Sequence, residues 1–255
     1  MYFSDASVEV LQTGRSAVAG KCQLLVLSYT MRNYKDSRAR EFATQGFSRR
    51  LKTLARCIDN VFEILPPDLV EPPTDDKLFD AIINIQGFVF NMFGCIDNLA
   101  WTWVREAGLP ITNKRLVGLF GKKTKEVHKP FSNEFQEYLT SLKNWFDHLK
   151  IFRDALAHRI PLYIPPYTIL KDKEAVHREL VTGKFDALKR RDRDEYERLE
   201  ADRKALATFA PVMTHSFEEK AIFIEFHPQL LTDFDTIEAI AQRMLKELDR
   251  LNLGT

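Results

Sequence analysis

Apolar residues at Phe47, Leu51, Leu54, Ile58, Val61 and Leu65 recur at intervals of three and four, which is the spacing of one buried face of an α-helix. This predicts a helix over about 36–65, stopped by Pro66 and Pro67, whose rings cannot continue it. A Pro-rich connection leads to Thr74, a good N-cap with Asp75 and Asp76 behind it. The second predicted helix then runs to about Glu106, before Gly108 and Pro110. It is apolar nearly all round: Leu78, Ile82, Ile85, Val89, Phe93, Ile96, Ala100 and Val104 line one side, with Phe88, Met92, Leu99 and Trp103 beside them. A helix of that kind belongs in the middle of a bundle. A third helix is predicted over about 133–159, continuous from Phe135 to Ala157, from the stripe Phe135, Leu139, Leu142, Phe146, Leu149, Phe152 and Leu156. Residues 1–35, around the short apolar run Leu24 to Leu27, fit either a helix packed on this bundle or an edge element.

Beyond the third helix the pattern changes. Ile160 to Leu170 alternates and carries prolines, the signature of an extended edge strand. Its expected partners are two β-rich runs, Val212 to Ser216 and Ala221 to Phe226, forming a hairpin over 212–226 joined through Phe217 to Lys220. Residues 171–209 are dominated by charge, with sparse apolar positions and a break expected at Gly183, and predict a protruding, solvated helical hairpin. A terminal helix is expected over 230–251. The fold class that follows is mainly α, one domain over 1–255. Its antiparallel bundle core spans about 36–159, and a C-terminal elaboration over 160–255 carries a small antiparallel sheet.

Composition narrows the function classes. Lys and Arg number 37 against 36 Asp and Glu, so no global field attracts nucleic acid or membrane, and any such binding must be local. Three widely spaced cysteines, Cys22, Cys57 and Cys95, suit reduced core thiols rather than a disulfide framework or zinc site. The acidic N-terminus and the lack of a convincing bilayer-length run make a soluble, cytoplasmic protein the expectation, with no membrane contact. No phosphate-binding loop, nucleophile elbow or dinucleotide fingerprint is present. His128, His148, His177, His215 and His227 are scattered, so neither a metal nor a cofactor is expected.

Local chemistry concentrates in three places. Asn84, Asn91 and Asn98 repeat every seven residues on the second helix, beside Gly87, Gly94 and Trp101 on a parallel stripe, whose glycines are expected to let a neighbouring backbone come close. Buried amides need partners, so the Asn stripe with Asp97 either faces another polar element, for which the Arg153/His158 face is the candidate, or specifies bundle register. Residues 109–131 hold Lys114, Arg115, Lys122, Lys123, Lys125, His128 and Lys129 against the single acid Glu126. That connection, kept mobile by Gly118 and Gly121, is either a phosphate-binding element near the third helix or an ordinary solvated loop. Finally, Phe152 to Arg159 places Arg153, Asp154 and His158 on one and a half helical turns, with Arg153 about 140° round from His158, so that both are expected to border one groove lined by Asp97 or Asn98 of the second helix. Arg153 supplies a rigid, permanently charged fork for phosphate, His158 is a residue type that can serve as base or acid, and Asp154 is placed to orient the imidazole or favour its charged form. The alternative is that Arg153 and Asp154 form an ion pair and His158 complements the helix dipole.

The spacing Arg-x4-His, with a polar residue directly after the Arg, resembles the signature of the HEPN superfamily at Arg153, Asp154 and His158. The resemblance covers about half the chain. It implies a helical bundle carrying the motif on a late helix, packed against two earlier long antiparallel ones. It also implies metal-independent endoribonuclease activity of toxin or phage-defence type, with two motifs meeting across a homodimer. On that reading Arg153, Asp154 and His158 are catalytic, Asp97, Asn98 and Asn91 support them, and Lys122, Lys123 and Lys125 bind substrate phosphate. RNA, a second copy and an antitoxin-like protein are the partners implied. Since the superfamily also contains members that bind or scaffold, a non-catalytic interaction or RNA-binding module is the competing expectation.

Overall fold

The computed structural model describes residues 2–111, 113–121, 124–216 and 222–253. It is mainly helical, with two small antiparallel sheets. The chain opens with a long helix, α1 (Asp5–Met31), capped by Ser4, whose Oγ accepts from the Ser7 amide at 3.2 Å. The helix expected over 36–65 is present as α2 (Ser37–Glu41), a π-helical turn (Phe42–Phe47) and α3 (Ser48–Ile64) in unbroken succession. Asp36 caps it by accepting from the amides of Arg38 and Ala39. α4 (Asp75–Glu106) follows, and Gly108 leaves it with φ +62°, a left-handed conformation that glycine adopts without strain.

α5 (Lys125–His128) is a single turn in the basic connection, and α6 (Asn133–Ser141) and α7 (Lys143–His158) come next. The third predicted helix is therefore two. Leu142 between them sits at φ −84°, ψ 4°, and Ser141 Oγ donates to the Tyr138 carbonyl at 2.7 Å, a local bond that competes with continuing the helix. The C-terminal region supplies α8 (Glu174–Arg190) and α9 (Arg193–Ala205), the expected charged hairpin. α8 runs through Gly183 without a break. The turn falls at Arg191, which takes φ 58°, and a Cβ on Gly183 would come within 3.2 Å of Leu199 on α9. Strand β1 (Thr168–Ile169) pairs with β2 (Ala207–Thr208), and β3 (Val212–Met213) with β4 (Ile224–Glu225). The edge segment thus meets the end of the charged region first. It touches the 212–226 hairpin through one bridge, Tyr163 with Thr214. The hairpin's expected connection, Phe217 to Lys220, lies outside the described residues.

The last helix, α10 (Phe226–Leu253), is not an attachment to a 36–159 core. Phe234, Ile237, Ile240 and Met244 of α10 and Leu11, Val18 and Tyr29 of α1 are buried in one cluster with Phe47, Leu54, Ile58, Phe88 and Met92. The Tyr29 hydroxyl closes that junction by donating to the Ala241 carbonyl at 2.8 Å. The bundle is α1, α3, α4 and α10, and α7 packs on the side of α4 away from α1. Among the described residues α4 alone is long and apolar enough to cross a bilayer, and its apolar stripe faces this core.

Candidate functional site

α4 has a neighbour on each flank, and each flank carries an arginine. On the α3 side, the Asn stripe bonds α3 rather than the Arg153/His158 face. Asn84 accepts from Asn60 at 2.8 Å, while Asn91 Oδ1 and Asn98 Oδ1 accept from Arg50 Nη1 and Nε, both at 3.1 Å. The amide nitrogens of Asn84 and Asn91 are tied back to the carbonyls of Asp80 and Gly87, which aims their oxygens at α3. The glycine stripe explains how an arginine fits there. A Cβ on Gly94 would overlap the Arg50 guanidinium, and one on Gly46, in the π-helical turn, would lie 2.7 Å from Asn98. These glycines make room for side chains of the neighbouring helix, whereas the sequence suggested close approach of its backbone.

On the α7 side, Arg153 lies over the Phe93 ring, its guanidinium carbon 4.9 Å from the ring centroid. Its Nη1 is 3.1 Å from Asp154 Oδ1, and Lys150 stands 3.9 Å from the same carboxylate. Arg153 is about one-third exposed, so this is a screened, openable ion pair. Asp97 sits in the strip of α4 between the two flanks. It is open to solvent on one side and walled by protein on the others. Desolvation pushes its carboxyl above the ordinary range, with Arg153 and Arg50 both pulling the other way. Arg50 and Arg153 therefore converge electrostatically on one carboxylate. Along the same solvent-facing strip of α4, Phe79, Ile83 and Phe90 are exposed.

His158 does not share this setting. It is exposed at the end of α7, and among the described residues it makes no hydrogen bond, ion pair or ring contact. Five residues along a helix turn it about 140° away from Arg153 and advance it about 7.5 Å, so Arg153 faces α4 while His158 faces outward. The structure thus brings together Arg153, Asp154 and Asp97, assigns Asn91 and Asn98 to Arg50, and leaves His158 apart.

The basic connection is better anchored than its glycines suggest. Leu119 and Val127 are buried, the Val127 carbonyl accepts from Trp103 Nε1 at 3.0 Å, and a His128 ring nitrogen bonds the Leu119 carbonyl. Phe120 stacks on Phe146, which packs against Phe93, so a run of rings joins this connection to the Arg153 platform. Lys125 is exposed at the start of α5, and Lys122 and Lys123 lie outside the described residues.

No family model matches this chain, and no curated protein or solved structure is significantly similar to it. The site must therefore be judged on its residues. Sequence reasoning missed Arg50 and the Phe93 platform. A signal for Arg50 existed in the notch of Gly94 between Asn91 and Asn98, room and acceptors on one helical face for one long donor from a neighbour.

Proposed function

We propose that this chain is a HEPN-like, metal-independent endoribonuclease of toxin or phage-defence type, acting in the cytoplasm as a homodimer through Arg153 and His158. The observation that carries the reading is the placement of Arg153. It is held on the Phe93 ring by one weak, solvent-screened ion pair, so its guanidinium can exchange Asp154 for a phosphate without unpacking the helix. Arg50 adds a second cation across Asp97, fixed by neutral amides rather than a carboxylate. The exposed rings of Phe79 and Phe90 extend the strip with surfaces on which unpaired bases can stack.

The chemistry is attack of a ribose 2′-hydroxyl on the adjacent phosphorus. A base takes the hydroxyl proton, the 5′-oxygen leaves with a proton from an acid, and a 2′,3′-cyclic phosphate remains. Arg153 stabilises the charge that grows on the phosphoryl oxygens. His158 serves as base or acid, and because it points away from Arg153 of its own chain, a second copy supplies the other proton-transfer group. Lys122, Lys123 and Lys125 are the proposed contacts to flanking phosphates.

RNA incubated with the protein in EDTA tests this. Cleavage leaving a cyclic phosphate is expected, with His158→Ala losing roughly 10²- to 10⁴-fold in rate. Arg153→Lys should be impaired as well, since an ammonium does not reproduce the fork. Equal cleavage by His158→Ala and the parent would overturn the reading. The outward direction of His158 favours a second reading, an RNA-binding module without catalysis, and RNA bound but never cut would establish it.

A further inference from the structure

The first helix has an apolar face that the fold does not use. Besides the buried Leu11, Val18, Cys22, Leu25 and Tyr29, α1 carries Val10, Thr13, Ala17, Gly20, Leu24, Leu27 and Met31, which alternate at three and four residues and all face solvent. Val10 is 70% exposed, Leu24 68%, Leu27 55% and Met31 74%. A second set of a and d positions with this strict spacing is the seam of a two-helix contact. At its middle sit the small residues Ala17 and Gly20, and a Cβ on Gly20 would meet nothing within 4 Å.

Charge identifies the occupant. Alongside the C-terminal half of α1 runs a cleft of about 590 Å³ between α1 and α3, lined by Cys22, Val26, Leu27 and Ala55, with Lys52, Arg56 and Asp59 on its α3 wall, Asp59 being already paired with Arg15 at 3.2 Å. Lys52 is close enough to Cys22 to act on its thiol, and among the described residues neither Lys52 nor Arg56 makes an ion pair. At the other end of the same helix, Asp5 and Glu9 are exposed and likewise make no ion pair among the described residues. We infer that α1 pairs antiparallel with α1 of a second copy of this chain about a two-fold axis near Ala17 and Gly20, setting Glu9 of each copy against Lys52 and Arg56 of the other.

The register that matches the seam to itself puts Val10 opposite Leu27, Thr13 opposite Leu24, and Ala17 opposite Gly20. Glu9 then falls level with Ser28, on the side where α3 presents Lys52. Self-complementarity of this kind is what an isologous contact requires. Size bears on it too. Residues 10 to 31 rise about 32 Å, and a strip about 10 Å wide gives roughly 300 Å² per copy. Twice that falls short of the roughly 1,000 Å² of a stable interface, so the α1/α3 cleft must be covered as well, which brings the two charge clusters together. α1 and α7 lie on opposite flanks of the α3–α4 pair, so this contact is separate from the pairing of motifs proposed above.

Sedimentation of the intact chain at micromolar concentrations tests the inference. The parent should sediment as a larger assembly than Leu24→Glu with Leu27→Glu, which loses the α1 contact and keeps only the separate pairing of motifs, while the circular dichroism stays unchanged. Glu9→Lys and Lys52→Glu should each weaken association by about tenfold, since the axis repeats the change, and Glu9→Lys/Lys52→Glu should restore it. Gly20→Cys should cross-link between copies on oxidation and Val10→Cys should not, because antiparallel pairing separates the two Val10 positions by about 25 Å. A parent that stays monomeric, an assembly indifferent to the two glutamates, or Val10→Cys cross-linking as well as Gly20→Cys would overturn it. His158→Ala should assemble like the parent, so loss of the nuclease reading leaves this result standing.

Discussion

Arg50 and Arg153 flank the same carboxylate from opposite sides of α4, yet the two seams hold their arginines by different means. In the α3–α4 seam, Arg50 is gripped by two amide oxygens and threaded over a glycine that has no side chain to oppose it. In the α4–α7 seam, Arg153 rests on a ring and shares a carboxylate with Lys150 at the surface. Neutral acceptors fixed to a helix cannot swing away, whereas a solvent-exposed aspartate can be displaced by a better anion. The difference separates an arginine that ties two helices together from one that is free to exchange partners, although both look alike as letters in a sequence.

The sharpest way to break the comparison is through the glycines of α4. Gly94→Ala should unseat Arg50 from both amides, and the lost charged hydrogen bonds outweigh the roughly 1 kcal/mol that alanine gains in helix propensity. A net loss of up to about 2 kcal/mol is expected in urea unfolding, since the atoms in the way are the far end of a flexible side chain that loses its two bonds as it moves aside. Gly87→Ala, seven residues away, should go the other way by up to about 1 kcal/mol, since its Cβ meets only Cys57 Sγ at 3.8 Å, an ordinary contact. Equal effects at the two positions would mean that Arg50 is not locked.

Truncating the arginines themselves comes next. Arg50→Ala leaves the Asn91 and Asn98 oxygens without their donor in a partly buried seam, and should cost about 1–3 kcal/mol. Arg153→Ala should cost about 1 kcal/mol or less, the scale of an exposed ion pair with a cation–π contact, while weakening RNA binding and flattening its salt dependence. A stability loss for Arg153→Ala as large as that for Arg50→Ala would make both arginines braces and remove the support for phosphate binding.

Much of the scaffold was legible because α3 and α4 each present one clean signal. Residues 47 to 65 repeat at three and four and stop at two prolines, and Thr74 stands at the N-cap position of the next helix ahead of Asp75 and Asp76, although its side chain makes no capping hydrogen bond. α1 was ambiguous for the opposite reason. Its apolar residues form two stripes, one buried and one exposed, so no single face dominates. The break at Leu142 was hidden because Leu142 itself fits the stripe that crosses it. As for the site, spacing placed Arg153 and His158 on one helix and suggested that both border one groove, whereas 140° of rotation is enough to turn His158 out to solvent once Arg153 packs on Phe93 of α4. What spacing does not contain is which neighbour the Asn stripe faces. Two elements offered an arginine, and only packing decides that Arg50 takes the amides and Arg153 takes Phe93.

Asp97, held in common by the two seams, gives the finest test. Desolvation raises its carboxyl above the ordinary aspartate range, so the attraction of Arg50 and Arg153 does not fully offset the loss of water around the charge. A folded-state pKa above the unfolded one means that the folded chain binds the proton more tightly. The stability this lends is present in acid and is lost as pH rises through the folded pKa. Asp97→Asn keeps the shape and removes the charge. Its stability relative to the parent should therefore be near zero at pH 3, rise through the carboxylate range, and level off by pH 7, read from urea midpoints at each pH. A variant that is instead progressively less stable than the parent toward pH 7 would show the two arginines winning over desolvation. Asp97 would then be the counter-ion that couples Arg50 to Arg153, and the freedom assigned to Arg153 would have to be reduced accordingly.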